Sequence, residues 1–311
     1  MHQNTLPEAL HTYPAIAPEK YAGKLKGQVA IVTGTSAGTG VDIARALAAA
    51  GAHVACVARR EPANKTLVDS INASGAGKAV AITADVAAPG AAQRIVQQTL
   101  SAFGGTGIDI LINNAGISRI GPVDREPEDL DLWWRVLEVN VRAPVALTRA
   151  VLPGMLEKGK GVVCSVSSGV LYMALPVMSA YSASKAAITK FHESLAVELQ
   201  GTGVLSFSVT PGVVETELGK ATDAFNKSAM DHPATKGFIA MMTDPNGFQK
   251  QDSDVLANVI VAMVADDAFK SLNGKFINGS KDVTAVMEEA KKEGAGRIGS
   301  EDMYTVRMHQ L

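Results

Sequence analysis

A doubly wound α/β fold, with a parallel sheet of about seven strands and helices on both faces, is predicted by two features of the sequence. Short apolar runs that are typical of buried strands alternate with helical segments over most of the chain. A glycine-rich turn follows the first apolar run, at the place where folds of this class bind nucleotides. The chain has 311 residues, of which 47% are hydrophobic, and this is enough for one large domain.

The predicted elements follow one another in regular order. Strands are predicted at 28–33, 53–58, 78–86, 108–114, 161–168, 204–210 and 275–279. Helices are predicted at 40–51, 66–74, 90–103, 127–159, 179–200 and 252–265. Continuous apolar strands indicate a sheet that is covered on both faces. Right-handed crossovers between parallel strands place the helices on those two faces.

Three segments lie outside this alternation. Residues 1–26 are rich in proline and turn-forming residues and are interpreted as an N-terminal arm. The single domain is expected to span 27–280, with a loop-rich insertion at 217–251. The charged residues 281–311 form a C-terminal tail. We see no internal repeat and no second domain in the sequence.

Composition excludes several classes of function. The formal net charge of −2 and the scattered basic residues argue against nucleic-acid binding and against a polybasic membrane patch. The first 28 residues lack the apolar core of a secretory signal, and no apolar run is long enough to span a bilayer. We therefore expect a cytoplasmic protein. Cys56 and Cys164 lie in apolar strands and are interpreted as core thiols, without a disulfide framework or a metal site.

The glycine-rich turn is the first candidate binding site. Gly34, Gly38 and Gly40 are spaced four and then two residues apart, whereas the usual dinucleotide fingerprint spaces its glycines two and then three apart. A strand, such a turn and a helix N-terminus together form an anion site, because backbone amides and the helix dipole point at phosphate. Glycine is also common in turns without any ligand, so the cluster alone leaves both interpretations open.

Further motifs follow in order along the chain. The turn reads "TGTSAGTG" from Thr33 to Gly40, and it is followed by "NNAG" at 113–116, "EVNVRAP" around Asn140 and "SVSSG" at 165–169. "YSASK" at 181–185 and "TPGVVET" at 210–216 complete the set. Together these motifs resemble the short-chain dehydrogenase/reductase family over about residues 27–280. The resemblance implies a Rossmann-type fold, a small-molecule substrate and a homo-oligomer, either a dimer or a tetramer.

The sequence departs from the family pattern at three places. Thr39 replaces the usual aliphatic residue between the last two glycines, and "SKDVTAVM" stands where many members carry Asp-Gly-Gly after the last strand. The tail resembles that of a divergent branch that is often found in specialised metabolism.

Tyr181 and Lys185 are the central catalytic candidates. They lie four residues apart in a predicted helix, so they share a face. A nearby ammonium is expected to lower the pKa of the phenol, which would let it exchange a proton with a substrate oxygen. Ser168 offers a hydroxyl that could hold the same oxygen. Two alternatives stay open: Tyr-x-x-x-Lys also occurs on ordinary helix faces, and Asn140 could simply satisfy helix backbone groups.

The resemblance adds further roles. Lys185 would also bind the nicotinamide ribose, and Asn140 would anchor a water in a proton relay. The cofactor-binding set implied by family position is Gly34, Ser36, Gly38, Gly40, Asp85, Val86, Asn114, Ala115, Gly116, Tyr181, Lys185, Pro211, Gly212, Val214 and Thr216. Within it, Asp85 and Val86 flank the adenine, and Val214 and Thr216 hold the carboxamide. Asn113 is expected to brace strands.

The residues after the second strand predict which nicotinamide cofactor is used. Folds that bind NAD(H) carry an acidic residue there, whereas this chain has Ala58 followed by Arg59 and Arg60. A guanidinium can hold a 2′-phosphate through two hydrogen bonds. We therefore expect NADP(H) to be preferred over NAD(H), with Arg59 contributing more than Arg60. The alternative is that both arginines are solvated loop charges.

Apolar residues near these motifs suggest the substrate side. They comprise "GVLYMALPVM" at 169–178 and, in the insertion 217–251, Phe225, Met230, Phe238, Met241, Met242 and Phe248. Together they predict a lid over a mostly apolar substrate, although core packing explains any one of them. The expected function is NADP(H)-dependent interconversion of a ketone and a secondary alcohol. The alternative is a cofactor-binding scaffold with a non-redox role or non-redox catalysis.

Overall fold

The computed structural model describes residues 6–215, 218, 224–244, 247–301 and 304–305. The strands are β1 (Val29–Thr33), β2 (His53–Ala58), β3 (Ala79–Thr83), β4 (Ile110–Asn113), β5 (Gly161–Val166), β6 (Val204–Thr210) and β7 (Phe276–Asn278). The first helices are α1 (Pro18–Tyr21), α2 (Thr39–Ala49), α3 (Glu61–Ser74), α4 (Ala91–Ala102), α5 (Asp131–Leu137) and α6 (Ala143–Lys158). They are followed by α7 (Ser179–Glu198), α8 (Pro233–Thr243), α9 (Ser253–Ala265), α10 (Thr284–Ala290) and α11 (Gly296–Ser300).

The seven strands form one sheet in the order β3-β2-β1-β4-β5-β6-β7. Every neighbouring pair is parallel, which confirms the predicted fold class. The strand order reverses between β1 and β4, and such a switch point opens a crevice at the carboxyl ends of the strands. The loops that follow β1, β4, β5 and β6 therefore meet at one edge of the sheet.

Two apolar layers cover the sheet. One layer packs α2, α3 and α9 onto the sheet, and it includes Ile43, Leu47, Leu67, Val259 and Ile260. The other packs α4, α6 and α7, and it includes Ile95, Leu147, Val151, Met155 and Leu195. Because both faces are covered, the strands carry apolar residues at consecutive positions: all five residues of β1 and all six of β5 are buried.

The arm and the tail pack against the first of these layers. The arm contributes Leu6, Ala9, Ile16, Tyr21 and Leu25, and the tail contributes Val283, Val286, Met287, Ala290, Ala295, Ile298 and Tyr304. Both segments therefore share the core of the domain that the sequence places at 27–280. Within the described residues, no helix is long and apolar enough to cross a bilayer.

Several predicted boundaries differ from the structure for local reasons. The helix predicted at 127–159 begins at Asp131, because Leu130 adopts a left-handed conformation (φ 55°) before it. The helix predicted at 66–74 begins at Glu61, and Pro62 fits its first turn because the amide hydrogens there need no helical acceptor. The strand predicted at 78–86 ends at Thr83, just before the Asp85 carboxylate accepts a hydrogen bond from Ala87 N.

The insertion 217–251 is more ordered than its loop-rich sequence predicts. Among its described residues, α8 spans Pro233–Thr243, and a short 3₁₀ helix spans Lys227–Ala229. The insertion is also tied to the segment after β4, because Ile120 N donates to Ala224 O (2.6 Å) and Asn226 N donates to Ile120 O (2.8 Å).

Candidate functional site

The turn between β1 and α2 is shaped for a close backbone approach. Gly34 and Gly38 have positive φ values of 77° and 61°, which glycine adopts without steric cost. A Cβ atom on Gly40 would lie 2.2 Å from Gly34 O and 2.5 Å from Asn114 Nδ2, so no side chain fits there. No side chain caps α2 at Gly38. The turn and the helix N-terminus together form a cradle for an anionic ligand.

Asn114 braces this turn through its side chain. Its Nδ2 donates to Thr33 O (2.8 Å), and its Oδ1 accepts from the hydroxyl of Thr39 (2.9 Å). The backbone amides of Asn114 and Ala115 both donate to Thr33 Oγ1 (3.0 Å each). Thr39, which departs from the family pattern, thus has a structural role. The polar side-chain atoms of Asn113 are buried without a hydrogen-bond partner among the described residues, so hydrogen bonding by that side chain is not what braces the strands.

The two arginines after β2 differ in their contacts. Arg60 donates from Nε to Ser36 Oγ at 3.2 Å and from Nη2 to Ser36 O at 3.5 Å. Arg59 is exposed, and its guanidinium has no hydrogen-bond or ion-pair partner in the described part of the chain. Arg60 is thus the arginine that contacts the glycine-rich turn directly.

Asp85 and Val86, which the resemblance places beside the adenine, follow β3. The Asp85 carboxylate pairs with Arg135 of α5 at 2.6 Å and accepts from Ala87 N at 3.0 Å. Val86 is partly buried against the apolar layer that contains α4. The Asp85 carboxylate is therefore engaged by protein groups, and it bridges β3 to the helix that leads to Asn140.

Gly116 faces the two polar side chains at the centre of the crevice. A Cβ atom at this position would lie 3.4 Å from Asn140 Oδ1 and 3.6 Å from Lys185 Nζ. The absence of a side chain leaves the space beside the Lys185 ammonium open. The residues after β4 and those of α7 thus meet at the same edge of the sheet as the glycine-rich turn.

Asn140 lies where the long helix changes its winding. Residues Glu138–Arg142 form a π-helical turn between α5 and α6, and such turns often mark functional sites. The Asn140 side chain accepts from Ile117 N and donates to Ile117 O, both at 2.9 Å, and also donates to Ser184 Oγ at 3.0 Å. Protein groups use both amide hydrogens and one acceptor position of this side chain, so its visible role is to fix the loop after β4 against α7.

Tyr181 and Lys185 share the face of α7 that points to the crevice. Lys185 Nζ lies 5.5 Å from the centre of the Tyr181 ring and donates to Val166 O at 2.7 Å. The expected lowering of the Tyr181 pKa is wrong for this geometry: burial raises the pKa of Tyr181 to about 12, although a hydrogen bond with Ser168 opposes this. Burial also lowers the pKa of Lys185 to about 8. Desolvation is the largest cause of the pKa shift of both groups.

Ser168 stands just beyond β5, two residues after Val166, and accepts from Val170 N at 3.4 Å. Its hydroxyl is the group that contacts Tyr181. The structure therefore brings Ser168, Tyr181, Lys185 and Asn140 together, as the sequence predicts.

The turn after β6 borders the crevice on the other side. Pro211, Gly212 and Val214 lie in it, and Gly212 N donates to Gln251 Oε1 at 2.8 Å. Thr216, which the resemblance assigns to the carboxamide, lies outside the described residues.

An apolar cluster surrounds Tyr181. It contains the buried residues Ile120, Val170, Val177, Met178, Tyr181 and Phe238, with Leu175, Leu218, Phe225, Ala234 and Met241 packed against them. Of the apolar residues predicted to form a lid, Phe225, Phe238 and Met241 join this cluster, whereas Met230, Met242 and Phe248 are exposed. The proton-bearing hydroxyl of Tyr181 thus lies in mainly apolar surroundings.

Three features near the site escaped the sequence analysis. His192 is fully buried between Ser165 (2.6 Å) and Ser206 (2.7 Å). Arg119 and Glu126 form a buried ion pair at 2.9 Å, close to the backbone hydrogen bonds between Ile120 and the insertion. The side chain of Gln251 forms hydrogen bonds with three backbone groups, and its backbone N–H donates to a fourth. Gln251 stands between Lys250 and Asp252, and nothing in the local sequence identifies the partners of any of these residues.

Comparisons with known proteins identify the family of the chain. A model of the short chain dehydrogenase family matches residues 28–227. A short chain dehydrogenase of Pseudocercospora fijiensis (strain CIRAD86) is 51% identical over 305 residues, which cover 98% of this chain and 97% of that relative. Dehydrogenase/reductase SDR family member 7B of Rattus norvegicus is 34% identical over 243 residues, covering 75% of this chain and 74% of that protein.

Solved structures give the same result. A short chain dehydrogenase from Burkholderia cenocepacia J2315 in complex with NADP matches with a TM-score of 0.67 at 32% identity, covering 82% of this chain and 97% of that one. The family model spans most of the sheet, and the relatives extend over most of the chain. The protein described here belongs to the short-chain dehydrogenase/reductase family.

Proposed function

We propose that the chain is an NADP(H)-dependent oxidoreductase that interconverts a ketone and a secondary alcohol on a largely apolar small molecule. The observation that carries this proposal is the arrangement around Gly116. Its missing side chain leaves space that borders Lys185 Nζ and Asn140 Oδ1, while Tyr181 and Ser168 stand at the same edge of the sheet. The proposal also includes a role in specialised metabolism, which the C-terminal tail suggests.

A dinucleotide fits the residues that line the crevice. The turn leaves no room for a side chain at Gly34 or Gly40 and leads into the N-terminus of α2, which no side chain caps; this suits a pyrophosphate. Gly116 and Lys185 offer space and a donor for a ribose, and the turn at Pro211, Gly212 and Val214 borders the far end. When bound, the nicotinamide cofactor supplies or accepts the hydride. The relative from Burkholderia cenocepacia binds NADP, which supports this choice of cofactor.

The residues of the chain control the proton. Because burial raises the pKa of Tyr181 to about 12, its phenol keeps its proton at neutral pH and can donate it from Oη to a carbonyl oxygen. The Ser168 hydroxyl can hold the same oxygen. Lys185 ties α7 to β5 through Val166 O, which fixes the position of Tyr181 relative to Ser168. In the reverse reaction the same phenolic oxygen would take the proton back from the alcohol.

The apolar cluster supports the class of substrate. Val170, Val177 and Phe238 are buried beside Tyr181, and a pocket with such walls favours a substrate of low polarity around the reacting carbonyl.

The proposal also includes a homo-oligomer. It is supported by exposed apolar side chains on α5, α6 and α7, namely Trp134, Leu156 and Val197, which are 54%, 43% and 73% exposed. Light scattering on the purified protein measures the mass of the assembly and therefore the number of its subunits.

The experiment that tests the function follows NADPH absorbance with a panel of ketones of increasing apolar size. NADH is used in parallel, and the alcohol product is identified by chromatography. Turnover with NADPH supports the proposal. Binding of NADPH without turnover across the panel and without reverse oxidation of the alcohols supports the non-redox scaffold. Failure of the protein to bind either cofactor contradicts both interpretations.

A further inference from the structure

Gln251 lies just before α9, outside the segment that the family model matches. Its side chain is buried, with the residue 4% exposed. The side-chain oxygen accepts from Gly212 N at 2.8 Å, and the side-chain nitrogen donates to Ala9 O and Gly279 O, both at 2.7 Å. One amide thus joins three segments that are distant in the sequence: the turn after β6, the N-terminal arm and the residue after β7.

Glutamine suits this place because of its chemistry. One acceptor faces an N–H group and two donors face carbonyl oxygens, and this pattern also fixes the orientation of the amide. Neither glutamate nor methionine provides both functions. A Cβ atom on Gly212 would lie 3.1 Å from Gln251 Cβ and 3.2 Å from its Cδ, so the close approach depends on glycine at that position.

The backbone around Gln251 strengthens the same connection. Gln251 N donates to Val213 O at 2.9 Å, and Val213 forms a bridge with Lys250. On the other side, Gly279 N donates to Thr210 O at 2.8 Å. The turn that carries Gly212 is therefore held from two directions, and the Gln251 side chain lies between them.

The arm is itself fastened to the tail and to α9. Ala9 N donates to Ser280 O at 2.8 Å, Asp282 N donates to Pro7 O at 2.9 Å and Asp252 N donates to Leu10 O at 2.9 Å. Glu8 and Lys281 form a salt bridge next to these contacts. Ala9 O is therefore presented to Gln251 by a segment with its own backbone partners.

We propose that Gln251 is a positioning residue: it holds the Pro211–Val214 turn in the shape that receives the nicotinamide half of the cofactor, and it couples this turn to the N-terminal arm. The inference rests on the proposed function, because it takes the crevice to be a dinucleotide site. Gln251 does not touch the reacting atoms. Its effect passes through the backbone of Gly212.

The test compares NADPH with 2′,5′-ADP, which has the adenosine half of NADPH in common with it. NADPH reaches the turn after β6, whereas 2′,5′-ADP carries the 2′-phosphate but has no nicotinamide. For Gln251→Met, which keeps the bulk and removes the hydrogen bonds, we expect the Kd for NADPH to rise about tenfold, the factor that corresponds to the loss of one net hydrogen bond. The Kd for 2′,5′-ADP stays at the wild-type value. Gln98→Met, on the exposed side of α4, is the matched control.

The outcomes separate this inference from the proposed function. If wild-type protein binds neither ligand, the proposed function fails. If Gln251→Met binds NADPH as the wild type does, or loses both ligands equally, the positioning role of Gln251 is overturned. A proportional loss of NADH affinity in Gln251→Met is also expected, because both cofactors share the nicotinamide half.

A measurement on the wild type covers the case in which Gln251→Met folds poorly. Hydrogen exchange is recorded for peptides 6–13 and 210–215 without ligand, with 2′,5′-ADP and with NADPH. We expect NADPH to increase protection of both peptides and 2′,5′-ADP to change neither. Protection of 210–215 by NADPH without any change in 6–13 would overturn the coupling to the arm.

Discussion

The side-chain nitrogen of Lys185 lies 2.7 Å from the carbonyl oxygen of Val166. This hydrogen bond joins α7 to the last residue of β5, two residues before Ser168. The same nitrogen borders the space left open by Gly116. Lys185 is therefore placed to hold a ligand and to hold the geometry of Tyr181 at the same time.

Replacing Lys185 tests this double role. For Lys185→Met we expect turnover to fall by orders of magnitude and the Kd for NADPH to rise about 10- to 100-fold, since a hydrogen bond to a charged group is worth roughly 1.5–3 kcal/mol. Lys190→Met is the control, because Lys190 lies on the same helix but is exposed and paired with Glu193. Cofactor titration and steady-state kinetics give both values. Wild-type cofactor affinity in Lys185→Met would contradict the ligand-binding role.

The two arginines after β2 test cofactor preference. For Arg59→Ala we expect NADPH binding to weaken about 10- to 100-fold while NADH binding stays nearly unchanged, because only NADPH carries the 2′-phosphate. For Arg60→Ala we expect a smaller loss that affects both cofactors, since Arg60 contacts Ser36 of the glycine-rich turn. Calorimetry with each cofactor measures both. Equal losses for NADPH and NADH in Arg59→Ala, or a wild type that prefers NADH, would contradict the assignment.

His192 predicts a loss of stability in acid. Burial lowers its pKa to about 3 from an ordinary value of 6.5, so below pH 6.5 the unfolded chain binds a proton that the folded protein does not. The stability contributed by neutral His192 is complete above pH 6.5, and it is lost by about 1.4 kcal/mol per pH unit as pH falls toward 3.

Denaturant unfolding between pH 7 and 4 measures this effect. We expect His192→Gln, which keeps polar groups near Ser165 and Ser206, to show a shallower dependence of unfolding free energy on pH. His53→Gln is the control, because His53 is only half-buried. If the wild type and His192→Gln lose stability with the same slope, the buried neutral histidine is not responsible.

The insertion 217–251 is expected to exchange its amide hydrogens faster than the rest of the core, and to gain protection when NADPH and a ketone substrate are both bound. Asn226 N donates to Ile120 O, so the Asn226 amide should be among the slowest of the insertion to exchange. Hydrogen exchange with peptide resolution decides this. Strong and equal protection of the insertion with and without ligands would contradict a closing lid.

The alternation of strands and helices could be predicted because each buried strand is a continuous apolar run, as in β1 and β5. Tyr181 and Lys185 could be paired because a separation of four residues brings two side chains to one helix face. Both predictions depend on local spacing, and the structure agrees with them.

Long-range contacts and burial could not be predicted in this way. The partners of Gln251 at Ala9, Gly212 and Gly279 lie 242, 39 and 28 residues away, and no periodicity connects them. The direction of the Tyr181 pKa shift depends on how much water the folded chain excludes, whereas spacing shows only that an ammonium lies nearby. The π-helical turn likewise places Asn140 against Ile117 and Ser184, which lie 23 and 44 residues away, and spacing does not show these contacts.

The most direct test of Tyr181 as proton donor compares wild type with Tyr181→Phe under saturating NADPH and an active ketone, because this change removes only the phenolic hydroxyl. We predict that kcat falls by orders of magnitude while the Kd for NADPH and the melting temperature stay close to wild type. Tyr21→Phe, which removes a hydroxyl bonded to Ala15 O at 2.9 Å far from the crevice, should keep its kcat. A kcat near the wild-type value in Tyr181→Phe would contradict the central claim that Tyr181 is the proton donor.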